Sequence, residues 1–91
     1  MTKLRFTLAK GALREEVLFE GVNPLGGKVS LSGDAVLPPL ERDLITAGCL
    51  NDPTGLAVQF ACLEAQGIAT AIAVLESDGE VFTRVYENPQ H

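Results

Sequence analysis

The residue pattern predicts an α+β fold: a small antiparallel sheet of about five strands in the order βββ-α(α)-ββ, with one broken helix or a helix pair packed on one face. Three observations carry that expectation. Short segments of period-two alternation occupy the N-terminal third, a proline-initiated stretch with helical spacing fills the middle, and an Asp-Gly hairpin signal lies near the C-terminus.

Residues 3–9 place Leu4, Phe6 and Leu8 on one face and Lys3, Arg5 and Thr7 on the other, the alternation of a half-exposed strand. Lys10-Gly11-Ala12 then offers a turn. Residues 13–20 fit two readings, a strand in which Leu13, Val17 and Phe19 share a face with Glu15, or two uncapped helical turns; the strand is preferred. Gly21 to Gly27 is a loop by composition, with Asn23-Pro24 as its turn initiator. Val29 and Leu31 alternate within a third short strand that Gly33-Asp34 ends.

Pro38-Pro39 suits a helix entry, because proline lacks the donor that a first helical turn leaves unpaired. Leu40, Leu44, Ile45 and Cys49 follow at helical spacing, Gly48 weakens the helix, and Asn51 stops it. Asp52-Pro53 reads as the start of a second helix, mostly buried, with Leu56, Phe60 and Leu63 as its stripe and Gly67 as its cap. Ile68 to Leu75 alternates with both faces apolar: Ile68, Thr70, Ile72 and Val74 on one, Ala69, Ala71, Ala73 and Leu75 on the other. A strand covered on two sides reads this way. Asp78-Gly79 makes a hairpin turn, Val81 to Glu87 returns as a strand, and 88–91 is a frayed tail.

The 91 residues make one domain, 1–91, large enough for its own core. Formal charge is −5, and all of the excess lies in residues 46–91, where Arg84 stands against Asp52, Glu64, Glu76, Asp78, Glu80 and Glu87. A surface of that sign repels phosphates, so no nucleic-acid partner is expected. The longest apolar run is Gly67 to Leu75, far short of the roughly 20 residues of a membrane helix, so no membrane partner is expected either. Two cysteines are too few for a disulfide scaffold, and Arg5 interrupts the apolar stretch a secretory signal would need. A cytoplasmic location follows as an expectation. Mean hydropathy of +0.19 is high for so small a domain and points to apolar surface buried against another chain.

No constellation specifies a chemistry. Catalysis by Cys49 or Cys62 would need a base, and the only histidine is the terminal His91. Zinc needs at least three protein ligands at a spacing this chain lacks, so both thiols read as small buried apolar groups, and a reversible pair between them is the alternative. Gly21 to Lys28 superficially resembles a phosphate loop, but Gly27-Lys28-Val29 leads into a strand and its glycine spacing fails the pattern. Asp52-Pro53-Thr54-Gly55 would be a generic anion site were Asp52 not its natural cap. No cofactor is expected.

The element order resembles that of small dimeric chaperones of bacterial secretion systems, without their flanking helices, a likeness of order alone. The sequence therefore favours a non-catalytic interaction module (adaptor, small chaperone, inhibitor or assembly component) acting as a homo-oligomer with a further protein partner. The alternative is a small-molecule-binding protein or enzyme whose site forms between subunits from the Gly-rich loop, the helix start near Asp52 and a thiol. The Ile68, Ile72 and Val74 face is the candidate oligomer interface. Asn23, Gly26 and Gly27 in the loop, with Phe82, Arg84 and Tyr86 on one strand face, are the candidate binding residues.

Overall fold

Two-residue turns set the register of the sheet. In the computed structural model, which describes residues 1–22, 26–56 and 60–89 (side chains apart from 60–62), β1 (Thr2–Lys10) turns through Gly11 and Ala12 into β2 (Leu13–Gly21). Gly11 has φ +60°, the value a type II′ turn demands at its first central residue. Lys10 therefore pairs with Leu13, and the antiparallel ladder runs to Thr2 opposite Gly21. Residues 13–20 are thus the strand that their alternation favours. β3 (Lys28–Gly33) pairs antiparallel with the outer edge of β2.

At the other end Asp78 (φ 53°) and Gly79 (φ 85°) form the turn between β4 (Thr70–Ser77) and β5 (Glu80–Glu87). Positive φ at both central residues is the type I′ requirement, met here by the Asp-Gly pair. β4 adds antiparallel to β1, which gives the five-stranded order β3-β2-β1-β4-β5. Asn88, expected in a frayed tail, continues this ladder: its backbone N–H donates to the carbonyl of Ala69 at 2.9 Å. Residues 90–91 lie outside the described residues.

Both described helices connect β3 to β4 and cover the same face. α1 (Pro39–Asn51) begins with Pro39 in its first turn and ends at Asn51, as predicted. Of the expected Leu40/Leu44/Ile45/Cys49 stripe, Ile45 and Cys49 are buried, together with Thr46, while both leucines are exposed. The physical reason is Arg42, which shares the 42/45/46/49 face and pairs with Glu15 on the sheet, rotating that face inward. Asp52-Pro53 does not open a helix. The Asp52 carboxylate does accept the backbone N–H of Gly55 at 3.3 Å, as a cap would, but Leu56 takes φ 47°, left-handed backbone that interrupts a helix. The second described helix is the short α2 (Phe60–Ala65), so 40–66 contains two helical segments.

α2 ends in a Schellman cap. Gly67 has φ +74°, its N–H donates to Glu64 O, and the N–H of Ile68 donates to Leu63 O. The motif brings Ile68 against Leu63, both fully buried. β4 starts only at Thr70, so Ile68 belongs to the core and does not share an open face with Ile72 and Val74. That corrects the expected three-residue patch.

The core lies between the helices and one face of the sheet: Leu4, Phe6 and Leu8 from β1, Val17 and Phe19 from β2, Ala71, Ala73 and Leu75 from β4, and Tyr86 from β5. The small alanines let the helical layer approach closely, as their alternation suggested. Among the described residues no helix is long and apolar enough to cross a membrane.

Candidate functional site

Five strands and two helices on one side leave the other side of the sheet bare. Strand alternation and the pairing registers assign this open face: Lys3, Arg5, Thr7 and Ala9 of β1; Arg14, Glu16, Leu18 and Glu20 of β2; Lys28, Ser30 and Ser32 of β3; Thr70, Ile72, Val74 and Glu76 of β4; and Val81, Thr83, Val85 and Glu87 of β5. No described element lies over it.

The aliphatic residues gather on β4 and β5. Ile72 is 44% exposed, its cross-strand partner Val85 53%, and Val81 62%. Val74 and, across β1, Leu18 are half-buried by their neighbours. An Ile–Val pair side by side on a solvated face gains little from its own contact and leaves about half of its surface in water.

The charges on this face follow a second pattern. Lys28, Glu20, Lys3 and Glu76 lie in one row across four strands, alternating in sign. Lys3 approaches Glu20 to 3.9 Å, and in the next rows Arg5 approaches Glu16 to 3.9 Å. In all, four cations (Lys3, Arg5, Arg14, Lys28) face four carboxylates (Glu16, Glu20, Glu76, Glu87), so the open face is neutral and the whole formal charge of −5 lies off it. The cations all stand on the β3-β2-β1 half, where they outnumber carboxylates by two. The β4-β5 half carries only Glu76 and Glu87.

Of the predicted interface residues, the structure brings Ile72 and Val74 together on this face and places Ile68 in the core. Phe82, Arg84 and Tyr86 do share one strand face, but it is the helix-covered one. Tyr86 is 6% exposed and within the core, and Phe82 packs against it. Burial and then the charge of Glu64 raise the Tyr86 phenol above its ordinary pKa. Arg84 donates through Nε (3.0 Å) and Nη2 (2.7 Å) to the carbonyl of Gly55, so it pins the 53–56 turn to β5. Gly27 sits against the Phe19 ring, where any side chain would collide, and Gly26 borders a shallow depression shared with Leu18, Glu20, Lys28 and Ser30. Asn23 lies outside the described residues, as does the side chain of Cys62.

Cys49 is fully buried, and burial followed by the Asp52 charge pushes its thiol up to about 12. A thiol so held stays protonated at neutral pH and is a poor nucleophile. The small, partly open space between Phe6, Leu8, Ile45, Leu63, Arg84 and Tyr86 amounts to only about one water, ≈ 10 Å³. Among the described residues no cluster of His, Cys, Asp or Glu could hold a metal ion.

Sequence reasoning missed Val81, Val85 and Leu18. The hairpin signal held the information: a two-residue Asp78-Gly79 turn places Val85 opposite Ile72 by counting alone. It also missed Glu15, which is buried at the inward-facing register of β2, with Oε2 accepting the N–H groups of Val36 (2.8 Å) and Leu37 (3.3 Å). No protein-family model, curated protein or solved structure matches this chain.

Proposed function

We propose that this chain is a non-catalytic interaction module that works as a homo-oligomer, with the open face of its sheet as the contact surface. The observation that supports the reading is the composition of that face: exposed Ile72, Val81 and Val85 beside an internally balanced set of charges, on the side the helices leave uncovered. Ile72, Val81 and Val85 on this face, like Leu13, Val29, Leu31, Leu40 and Leu44 on the helix side, favour a partner that removes them from water.

Size is adequate. Strand spacing of about 4.8 Å and a rise of about 3.3 Å per residue give such a sheet a footprint of roughly 600 Å² before side-chain relief is counted. Each partner of a stable pair buries about 600–1,000 Å². A second copy is the occupant that the charge supports, because a neutral face meets itself without net repulsion. An adaptor, small chaperone, inhibitor or assembly component would all be built this way.

The test is the solution mass of the wild type and of Ile72→Lys by light scattering, with circular dichroism to confirm the fold. The wild type is expected to be an oligomer and Ile72→Lys a folded monomer, since a lysine at that exposed position costs the monomer little. A monomeric wild type at micromolar concentration, or an Ile72→Lys oligomer as stable as the parent, rejects the reading.

A further inference from the structure

We infer that two copies dock open face to open face about a two-fold axis parallel to the strands and lying between β1 and β4, so that Lys3 of each copy meets Glu76 of the other. This arrangement rests on the homo-oligomer reading and adds its geometry.

Charge is unevenly spread over the open face. The β3-β2-β1 half has two cations in excess and the β4-β5 half two carboxylates without a cation. Symmetric pairs use the same patch on both copies. A two-fold axis across the strands lays each half on its own counterpart, cation-rich on cation-rich and acidic on acidic. An axis along the strands lays each half on the opposite one. Like charges brought together at an interface are costly, and opposite ones orient the encounter.

Position along the sheet follows from the rows. An axis through β1 itself, the central strand, would stack Lys3 and Arg5 on their own copies. Moving it by half a strand, between β1 and β4, sets the partner's β4 over β1 and the partner's β5 over β2, with rows kept at the same height and β3 of each copy outside the four-strand overlap. Lys3 then faces the partner's Glu76, Arg14 faces the partner's Glu87, and Thr7 faces the partner's Ile72. Ile72 and Val74 of both copies flank the axis, where central residues are most completely dried. Two sheets packed in this way form an aligned sandwich with strands within about 30° of one another, separated by about 10 Å. Edge-to-edge pairing of β3 or β5 would leave Ile72, Val74 and Val85 as wet as they are in the single copy.

The experiment is a charge swap across the interface. Lys3→Glu alone sets Glu against the partner's Glu76 at two symmetric places, and Glu76→Lys alone sets Lys against the partner's Lys3. Each variant by itself is expected to dissociate about tenfold more readily than the wild type. Mixed together they are complementary at both places, so the heterodimer forms in preference to either homodimer. Native mass spectrometry with one variant ¹⁵N-labelled reads the ratio, and circular dichroism confirms that both are folded. A statistical mixture, while Ile72→Lys still yields a monomer, overturns the docking geometry and leaves the contact face standing. An Ile72→Lys oligomer as stable as the parent overturns the face and the geometry together, as does a wild type that is monomeric.

Discussion

Replacing Glu15 by alanine should be the most damaging single change outside the aliphatic core. Glu15 projects from β2 toward the helices, 3% exposed, between Leu8 on β1 and Gly33 on β3. Its Oε2 accepts the backbone N–H groups of Val36 and Leu37, and its Oε1 lies 3.6 Å from Nη1 of Arg42 on α1. One carboxylate thus ties the sheet, the crossing loop and the first helix. Alanine leaves two buried donors unpaired, each costing about 1–3 kcal/mol, and strands Arg42. Removing one partner of a buried pair costs about 3–5 kcal/mol as a whole. Against a total stability of roughly 5–15 kcal/mol this is a large share. Each kcal/mol moves the midpoint of a domain this size by about 4–8 °C, so a fall in Tm of at least about 12 °C is expected. Glu15→Gln keeps an acceptor for the two amides and should lose less than half as much. Urea unfolding followed by far-ultraviolet circular dichroism measures both. An alanine variant within about 0.5 kcal/mol of wild type, at unchanged m-value, would refute the reasoning, since ordinary surface substitutions stay within that margin.

Two further outcomes test other parts of the fold. The Cys49 thiol is held above its unfolded value of 9.0, at about 12, so the folded state resists its ionisation: stability should be fully present below pH 9 and decline as pH rises from there toward 12. Cys49→Ala should flatten that alkaline decline in a pH series of thermal melts, and an unchanged slope would contradict the assignment. Arg84→Ala should barely move Tm, because Arg84 is exposed, yet should speed proteolysis and amide exchange in the 53–56 turn that its guanidinium holds. Unaltered protection there would show that Gly55 is held by other means.

The sheet was legible because its determinants are local. Gly11-Ala12 and Asp78-Gly79 are two-residue turns whose φ requirements set register, and alternation then assigns each side chain to a face. The helical region was less so. Leu40 and Leu44 read as buried because periodicity cannot know that Glu15, 27 positions before Arg42, will turn a different side of α1 inward. Asp52-Pro53 carries a valid helix-start signal, and Asp52 makes the capping bond to Gly55, but Leu56 turns left-handed and Arg84 holds that turn from a distant strand. Each place involves a polar contact distant in sequence, Glu15 with Arg42 and Arg84 with Gly55, which no window of neighbouring residues contains. The same holds for the candidate site. Apolar Phe82 and Tyr86 look alike to Val81 and Val85 in the sequence, and only the side on which the helices pack makes one pair core and the other surface.

That choice of side also separates the charge. Lys10, Arg42 and Arg84 are the only cations off the open face, against Glu15, Asp34, Glu41, Asp43, Asp52, Glu64, Asp78 and Glu80. In a face-to-face pair these two acidic sides point away from each other, with two sheets about 10 Å apart and a helical layer on each between them. The molecule measures 18 Å along its shortest axis, so much of the outer charge of one copy is more than a Debye length of about 8 Å from that of the other at physiological salt. Net repulsion between two chains of −5 is then largely screened, while in the proposed docking Lys3 and Glu76 would meet at contact distance, where screening is weakest. In the proposed pair, a face that is neutral as a whole but polarised across its width would favour one orientation of self-association over the others.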